Sequence, residues 1–409
     1  MVRSVLVSLV LAALLTATCW AAKPHPKHHA AAAPAASAAP AASTPAVTAP
    51  LVAGMAIPGP PQVDARADIL VDYQTGKVLA ASNATERMEP ASLTKLMTAY
   101  IVFHELKLGK LKLEDMVTVS EHAWRSEGSR TFIELGKPVS VNDLILGMIV
   151  QSGNDATIAL AERIAGTEDT FAQLMNSTAK SLNMVGSHFE NSSGLPSPQH
   201  YTTARDMSLL AIAMIRDYPQ YYKYYSVREF EHNGIKQQNR NGLLEKDPSV
   251  DGLKTGHTDS AGFCLVTSAH REGMRLVSVV LGSTSMKARE NASAALLSYG
   301  FTFYDTKLLV KGGTALTTAH VWKAASSPAE LGIKDDLYMT LARGQSEVKT
   351  SVDVTPRLIA PLALDADVGT LHVFSGTKEL TTVALHPLKA VAAGGWWRRL
   401  IDTIRLWFA

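Results

Sequence analysis

A serine and a lysine stand three residues apart in "PASLTKLMTAYIVFHEL" (90–106), where Ser92 and Lys95 open an apolar run at helical spacing. Positions i and i+3 of a helix are neighbours, so the two side chains would share a face. A serine hydroxyl is a weak nucleophile until a base takes its proton, and lysine is such a base only where burial and nearby cations lower its pKa. The pair predicts either a solvated surface lysine or a nucleophile beside its base.

Ser-x-x-Lys is a weak pattern by itself, because the chain also contains it at Ser177, Ser346 and Ser375. Two further motifs follow the first occurrence in order. Ser152-Gly153-Asn154 falls between two apolar helical runs, and Lys254-Thr255-Gly256 precedes an apolar strand run. Three motifs in this order and context predict one active site, with Lys254 as the cation beside Lys95.

These motifs resemble those of the serine D-alanyl-D-alanine carboxypeptidases, which are low-molecular-mass penicillin-binding proteins. The resemblance runs from about residue 63 to the C-terminus and includes "TTARD" (202–206), "NRNGLL" (239–244) and "VDGLKTGHT" (250–258). It implies that Ser92 is the acyl-ester nucleophile and that Lys95 is its base. It further implies that Ser152 relays a proton to the leaving amine, and that Asn154 binds both the substrate amide and Lys95.

The resemblance also implies how the substrate is held. Residues 254–256 would lie on an edge strand to which a peptide adds by strand pairing, with Gly256 allowing a close backbone approach. Lys254 and the Thr255 hydroxyl would meet the substrate's terminal carboxylate. The backbone N–H groups of Ser92 and His257 would be the oxyanion donors.

Two arginines are further substrate-binding candidates near that carboxylate. They are Arg240, in "NRNGLL", and Arg289, in "KARE". For each of them, a surface arginine in an ion pair is the open alternative.

The implied activity is removal of the terminal D-Ala from peptidoglycan stem pentapeptides through an acyl-enzyme, without metal or cofactor and with β-lactam antibiotics as covalent inhibitors. A D,D-endopeptidase that cuts peptide cross-links would use the same residues. A β-lactamase is less favoured, because the deacylating glutamate motif of those enzymes is not found. A non-catalytic wall-binding scaffold would not need the complete motif set.

Length and composition fit this interpretation. The 409 residues, 46% hydrophobic and 19% charged, suffice for one large domain or two ordinary ones. The net charge of +2 gives no reason to expect nucleic acid as a partner. Strand runs at both ends of residues 63–305, with helical runs between, predict an α/β (α+β) domain with an antiparallel sheet, as in the penicillin-binding/β-lactamase-like fold. Short alternating runs predict a small all-β domain over 306–393.

The N-terminal segments predict export. Residues 1–22 are typical of a signal peptide, with Arg3 before an apolar run that is too short to span a bilayer. Residues 23–62 are Ala/Pro-rich and predict a disordered linker. After cleavage only Cys264 would remain, so no internal disulfide is expected.

The last segment, "GGWWRRLIDTIRLWFA" (394–409), predicts an amphipathic helix. Residues 396–409 would span only about 21 Å, short of the ~30 Å membrane core. The segment therefore predicts a helix on an anionic membrane surface, which holds the enzyme at the periplasmic face of the cytoplasmic membrane. The alternative is a helix packed on the β domain. The apolar stripe comprises Trp397, Leu400, Ile401, Ile404 and Phe408, and the residues off it are Arg398, Arg399, Asp402 and Arg405.

Overall fold

The structure is a computed structural model that describes residues 57–344 and 348–408. The predicted signal peptide and the predicted linker up to residue 56 lie outside the described residues. Residues 57–62, predicted as the end of the disordered linker, instead lie against the larger domain. Ile57 packs on its core, and the Tyr299 hydroxyl donates to the Pro58 carbonyl at 3.0 Å. Ile57 supplies the apolar surface that the Ala/Pro-rich composition lacks.

Five antiparallel strands form the central sheet, in the order β2-β1-β9-β8-β7. The predicted strand runs form two hairpins, β1–β2 and β8–β9, and the strand that carries the Lys-Thr-Gly motif, β7, lies at an edge as predicted. The strands are β1 (Ala67–Asp72), β2 (Val78–Ser82), β7 (Val250–Thr258), β8 (Gly262–Arg271) and β9 (Met274–Ser283).

Helices cover both faces of this sheet. On one face, alternate strand residues such as Ile69, Val266 and Val279 share a core with the helices that lie between β2 and β7 in the chain. On the other face, Leu70 and Val280 pack against a single long helix, α9 (Met286–Phe303). The other helices are α1 (Lys95–Lys107), α2 (Glu121–Arg125), α3 (Val141–Leu146), α4 (Asn154–Ala165), α5 (Glu168–Ser181), α6 (Ala204–Asp217), α7 (Pro219–Tyr222) and α8 (Leu243–Lys246).

Two short hairpins in the helical region are absent from the sequence prediction. They pair β3 (Met116–Thr118) with β4 (Pro138–Ser140), and β5 (Glu229–His232) with β6 (Ile235–Gln238). Strands of three or four residues are too short for alternation to distinguish them from loops.

The predicted all-β domain is present and has its own core. A five-stranded sheet has the order β11-β13-β18-β17-β15, and two short strand pairs, β10–β14 and β12–β16, complete it. Val321, Leu331 and Leu371 are among the buried side chains of this separate core. The strands are β10 (Tyr304–Val310), β11 (Thr317–Ala319), β12 (Val321–Trp322), β13 (Ala329–Gly332), β14 (Leu337–Ala342), β15 (Val348–Val354), β16 (Leu358–Ile359), β17 (Gly369–Ser375) and β18 (Lys378–Pro387).

An inter-domain polar cluster, formed by Asp72, Thr75, Thr306 and Thr340, joins the two domains. The buried Asp72 carboxylate accepts the Thr75 N–H at 2.9 Å and the Thr306 hydroxyl at 2.7 Å. The Thr340 hydroxyl lies 2.6 Å from that of Thr75. Because buried donors and acceptors are costly to leave unpaired, these bonds favour one orientation of the domains.

The last helix, α10 (Trp396–Arg405), is present where the sequence predicts it but is shorter than predicted. Trp407 and Phe408 donate their N–H groups three residues back, so the chain tightens after Arg405 and Phe408 lies beyond the helix. Among the described residues, no helix combines the length and apolarity that crossing a membrane requires.

Candidate active site

Ser92 lies in a 3₁₀ turn, Ala91–Thr94, that precedes α1. The sequence predicted that it lies in the α-helix itself, so this prediction is wrong. Two segments pack closely against this turn at positions where each has a glycine. A Cβ on Gly256 would lie 3.0 Å from the Pro90 carbonyl oxygen, and one on Gly194 would collide with the Ala91 carbonyl. β7 and the chain around Gly194 therefore pack closely against this turn, which is 3₁₀ and so tighter than an α-helical turn. The close approach predicted for Gly256 is made, within this chain, to the serine turn.

Lys95 is 1% exposed, and its amine meets three oxygen atoms. Its Nζ lies 3.1 Å from Ser92 Oγ, 2.7 Å from Asn154 Oδ1 and 2.6 Å from the Ser193 carbonyl oxygen. As an ammonium, Lys95 donates to all three. As a neutral amine, it donates to Asn154 and Ser193 and turns its lone pair to the Ser92 hydroxyl, which is the arrangement that a general base needs.

The electrostatic surroundings favour the neutral amine. Burial, together with the Arg240 guanidinium, lowers the pKa of Lys95 to about 7, against the opposing effect of Asp155 and Glu168. The sequence predicted Lys254 as the cation beside Lys95. The charges of Lys95 and Lys254 do act on each other, and Arg240 adds its effect on Lys95, although its own side chain is exposed and water screens part of that effect.

The Ser-Gly-Asn motif is placed by an unusual backbone. A π-helical turn, Gly147–Gln151, ends at Ser152, which adopts the left-handed conformation with φ of 66°. That conformation is uncommon for residues other than glycine. The Ser152 side chain is buried, and its Oγ has no hydrogen-bond partner among the described residues. Asn154 donates from Nδ2 to the Glu127 carbonyl at 2.6 Å, which fixes the amide whose oxygen meets Lys95.

The next residue, Asp155, holds a facing loop in place. Its buried carboxylate accepts the backbone N–H groups of Thr131 at 2.8 Å, Phe132 at 2.9 Å and Ile133 at 3.3 Å. Three N–H bonds to one carboxylate are charge-assisted and strong. The motif and this loop therefore form one rigid wall of the site.

Lys254 brings a second buried amine to the same region. It is 2% exposed, and its Nζ donates to the Thr255 carbonyl at 3.1 Å. Burial lowers the pKa of Lys254 well below its ordinary value, and the charges of Lys95, Arg240 and Arg289 act in the same direction. Because the positive charges of Lys95, Lys254, Arg240 and Arg289 repel one another, a bound anion would stabilise these charges.

Neither arginine candidate makes the surface ion pair that the alternative interpretation requires, among the described residues. Arg289 is 3% exposed and donates to the Gly256 carbonyl at 3.2 Å, so it holds the motif strand from α9. Arg240 is exposed. His257 is exposed too, and its ring lies 4.0 Å from that of Phe263. Contact of these residues, and of the buried Thr255, with substrate stays a prediction.

A loop that carries no recognised motif completes the site. The Asn191 Oδ1 accepts the N–H groups of Ser193 at 3.2 Å, Gly194 at 2.7 Å and Leu195 at 3.2 Å. The Ser193 carbonyl, which meets Lys95, is thereby fixed. A buried histidine, His200, lies 2.8 Å from the Thr94 hydroxyl, and burial lowers the pKa of its imidazole to about 4.

Comparison with known proteins assigns the family. The sequence profile of the D-alanyl-D-alanine carboxypeptidases, peptidase S11, matches residues 55–285, which is more than half of the chain. The chain belongs to this family. A second profile, that of the penicillin-binding protein 5 C-terminal domain, matches residues 304–393.

Relatives of this carboxypeptidase match it over most of their length. The D-alanyl-D-alanine carboxypeptidase DacA of Escherichia coli K12 is 42% identical over 361 residues, covering 86% of this chain and 90% of DacA. DacC of the same strain is 44% identical over 357 residues, covering 85% and 89%. The predicted family and enzyme class are confirmed: the protein is a serine-type D-Ala-D-Ala carboxypeptidase.

Solved structures agree with the fold. Penicillin-binding protein 5 of Haemophilus influenzae is 40% identical, with a TM-score of 0.78 over 81% of this chain and 99% of that one. Penicillin-binding protein D2 of Listeria monocytogenes, in an ampicillin-bound form, is 31% identical, with a TM-score of 0.55 over 58% and 98%. The predicted fold class of the carboxypeptidase, a mixed α/β domain followed by a β domain, is confirmed.

The sequence prediction named the side chains of the motifs but missed the groups around them. The structure brings Ser92, Lys95 and Asn154 into direct contact. Ser193 was missed because its carbonyl does the binding, and a backbone atom has no sequence signature. Asp155 follows the motif directly, and that position is the signal in the sequence that could have identified it. Within residues 57–344 and 348–408, no three His, Cys, Asp or Glu side chains group as metal ligands.

We expect acylation of the carboxypeptidase by a penicillin to slow as the pH falls through about 7, because Lys95 loses its lone pair when it is protonated. Lys95→Arg should acylate about 100- to 10,000-fold more slowly at all pH values, since a guanidinium stays protonated. Stopped-flow measurement of acylation checks both outcomes. Lys180→Arg, at an exposed lysine of another Ser-x-x-Lys, is the control. A rate independent of pH between about pH 5 and pH 9 would contradict the assignment.

Proposed function

We propose that this carboxypeptidase removes the terminal D-Ala of peptidoglycan stem pentapeptides through an acyl-enzyme on Ser92. The observation that carries the proposal is the 3.1 Å contact between Ser92 Oγ and the buried Lys95 amine, whose pKa is lowered to about 7. In another described Ser-x-x-Lys pair, Ser177 and Lys180 are both exposed on α5, so they lack the buried setting of Ser92 and Lys95.

The proposed reaction begins with proton transfer from Ser92 Oγ to Lys95 Nζ. The oxygen attacks the carbonyl carbon of the penultimate D-Ala, and the backbone N–H groups of Ser92 and His257 stabilise the oxyanion. Ser152, whose buried hydroxyl lacks a partner among the described residues, passes a proton to the departing amine of the terminal D-Ala. Water then hydrolyses the ester and frees Ser92. Asn154 orients Lys95 and the substrate amide throughout.

The substrate's terminal carboxylate is proposed to bind beside Lys254 and Thr255. An anion there relieves the mutual repulsion of the buried Lys254, the partly accessible Arg240 and Arg289. The position of β7 at the edge of the central sheet supports the same placement, because a peptide can pair with an edge strand. Arg289, which already donates to the Gly256 carbonyl, would act mainly by holding the strand.

Penicillins are proposed to acylate the same serine. The ampicillin-bound form of the Listeria relative supports this, since the two chains share the penicillin-binding domain fold. A β-lactam presents a reactive amide and a carboxylate, so it uses the nucleophile and the cationic site together.

Ser92→Ala should abolish labelling by a fluorescent penicillin and leave the fold intact, because the turn keeps its backbone bonds and loses one hydroxyl. Ser177→Ala should be labelled like the wild type, since its Ser-x-x-Lys pair is exposed. Gel fluorescence reports labelling, and mass spectrometry of peptides locates the adduct. An adduct on any other residue of the wild-type protein would overturn the assignment of Ser92.

The carboxylate site predicts a difference between two substrates. Lys254→Gln and Thr255→Val should lower kcat/KM for a peptide that ends in free D-Ala-D-Ala, by roughly 1.5–3 kcal/mol or about 10- to 150-fold. The C-terminal amide of that peptide lacks the negative charge and should lose much less. Equal losses on the two peptides would place the carboxylate elsewhere, with Arg240 the next position to test.

We propose that α10 holds the enzyme on an anionic membrane surface at the periplasmic face of the cytoplasmic membrane. Its polar side meets the β domain: Asp402 is 7% exposed and accepts the Lys323 N–H at 2.7 Å. Its apolar side faces outward, with Trp397 62% exposed and Ile404 48% exposed. A helix that packs on its domain normally does the reverse, so the exposed apolar side supports a lipid partner. Export through the predicted signal peptide is part of this proposal.

Membrane binding can be measured by sedimentation with vesicles of phosphatidylglycerol and phosphatidylethanolamine. Truncation after Gly395 should leave the enzyme in the supernatant with unchanged activity on small peptides. The double variant Ile401→Asn, Ile404→Asn should do the same, because it removes apolar area from the outward side. Thr403→Asn is the matched control and should stay bound. Sedimentation of the truncated enzyme with vesicles would show that the binding surface lies elsewhere.

A further inference from the structure

The loop that fixes the Ser193 carbonyl is itself held by a carboxylate from another element. Glu168, in the first turn of α5, accepts the Ser192 N–H at 2.9 Å and the Ser192 hydroxyl through the same oxygen, Oε1. Its side chain is 13% exposed. The Ser192 carbonyl accepts the Thr98 hydroxyl at 2.7 Å, so the N–H and the C=O of Ser192 are both bonded.

Ser192, which these bonds hold, directly precedes Ser193 in the chain. The Ser193 carbonyl oxygen lies 2.6 Å from Lys95 Nζ, which is the shortest of the three contacts of that amine. Ser192 and Ser193 are both fully or almost fully buried, so water cannot replace a lost bond. The orientation of the Ser193 carbonyl therefore depends on what holds Ser192.

The second oxygen of Glu168 points away from the loop. Oε2 lies 3.6 Å from Nε2 of His122, and Nδ1 of His122 lies 3.0 Å from Glu162 Oε1. His122 is 58% exposed. The carboxylate thus has one oxygen on the active-site loop and the other on a surface imidazole.

We propose that Glu168 is a positioning residue for Lys95: it holds Ser192 by its N–H and hydroxyl so that the Ser193 carbonyl faces the Lys95 amine, and its negative charge acts on that amine. The inference rests on the proposed roles of Ser92 and Lys95. Glu168 also opposes the lowering of the Lys95 pKa, which agrees with a charge in electrostatic range. The other titratable or charged groups in range of these two side chains are Arg240, Lys254, Asp155, His200 and His122 with Glu162.

Two substitutions separate the bonding from the charge. Glu168→Gln keeps an oxygen that can accept from Ser192 and removes the charge, so the amine should lose its proton more readily. The acidic limb of the acylation rate should therefore shift to lower pH, with the rate at high pH kept close to that of the wild type. Glu168→Ala also removes the acceptor, and the rate at high pH should fall by up to about 100-fold, the cost of misplacing a catalytic group by ~1 Å.

Asp169→Asn is the matched control. Asp169 lies in the same first turn of α5 but is exposed, and it has no hydrogen bond or ion pair among the described residues. Its loss changes the charge at the helix N-terminus equally. We expect its pH profile to match that of the wild type.

The experiment measures the pH dependence of acylation by a fluorescent penicillin for the wild type and these variants of the full chain, with thermal unfolding as a check on folding. A shift for Glu168→Gln and none for Asp169→Asn is the expected result. An unshifted Glu168→Gln profile, or an equal shift for both variants, would overturn the proposal even if Glu168→Ala does not fold. A wild-type enzyme with no acidic limb would instead contradict the proposed role of Lys95.

Discussion

The buried amine of Lys95 is the constraint on which the site depends. A charged or polar group without water must find partners within the protein, and each unpaired donor costs on the order of 1–3 kcal/mol. Lys95 finds them in three separate segments: the serine turn, the start of α4 and the 191–195 loop. The same burial lowers its pKa to about 7, so one arrangement supplies both the base and its geometry.

The scaffold keeps these three segments together by close backbone contacts. Gly256 and Gly194 bring the edge strand and the loop onto the serine turn, where a side chain would not fit. Arg289 ties the edge strand to α9, and Asp155 ties the start of α4 to the facing loop. Each contact joins elements that are distant in the chain, so the site is rigid because the tertiary packing is, and this pre-organisation favours catalysis.

The sequence predicted the sheet, most helices, the β domain and the motif residues, because periodicity and ordered motifs are local properties of a chain. It placed Ser92 in an α-helix, because nothing in residues 90–106 indicates that Gly194 and Gly256, from remote segments, pack against the serine turn. It named Lys254 as the cation beside Lys95, but it assigned Arg240 to the substrate carboxylate alone, and the structure shows that Arg240 also acts on Lys95. The supporting groups were out of reach for the same reason: the Ser193 carbonyl and the Glu168 carboxylate acquire their roles only from contacts across 98 and 24 residues.

The fixed orientation of the β domain relative to the catalytic domain bears on function. The inter-domain polar cluster pairs the partly buried hydroxyls of Thr75 and Thr306 with the buried Asp72 carboxylate, so a change of orientation would leave donors unpaired. Within the β domain, the bond from the Lys323 N–H to Asp402 holds α10 with its apolar side outward. If that side lies on the membrane as proposed, the active site is held at a set distance from the lipid surface.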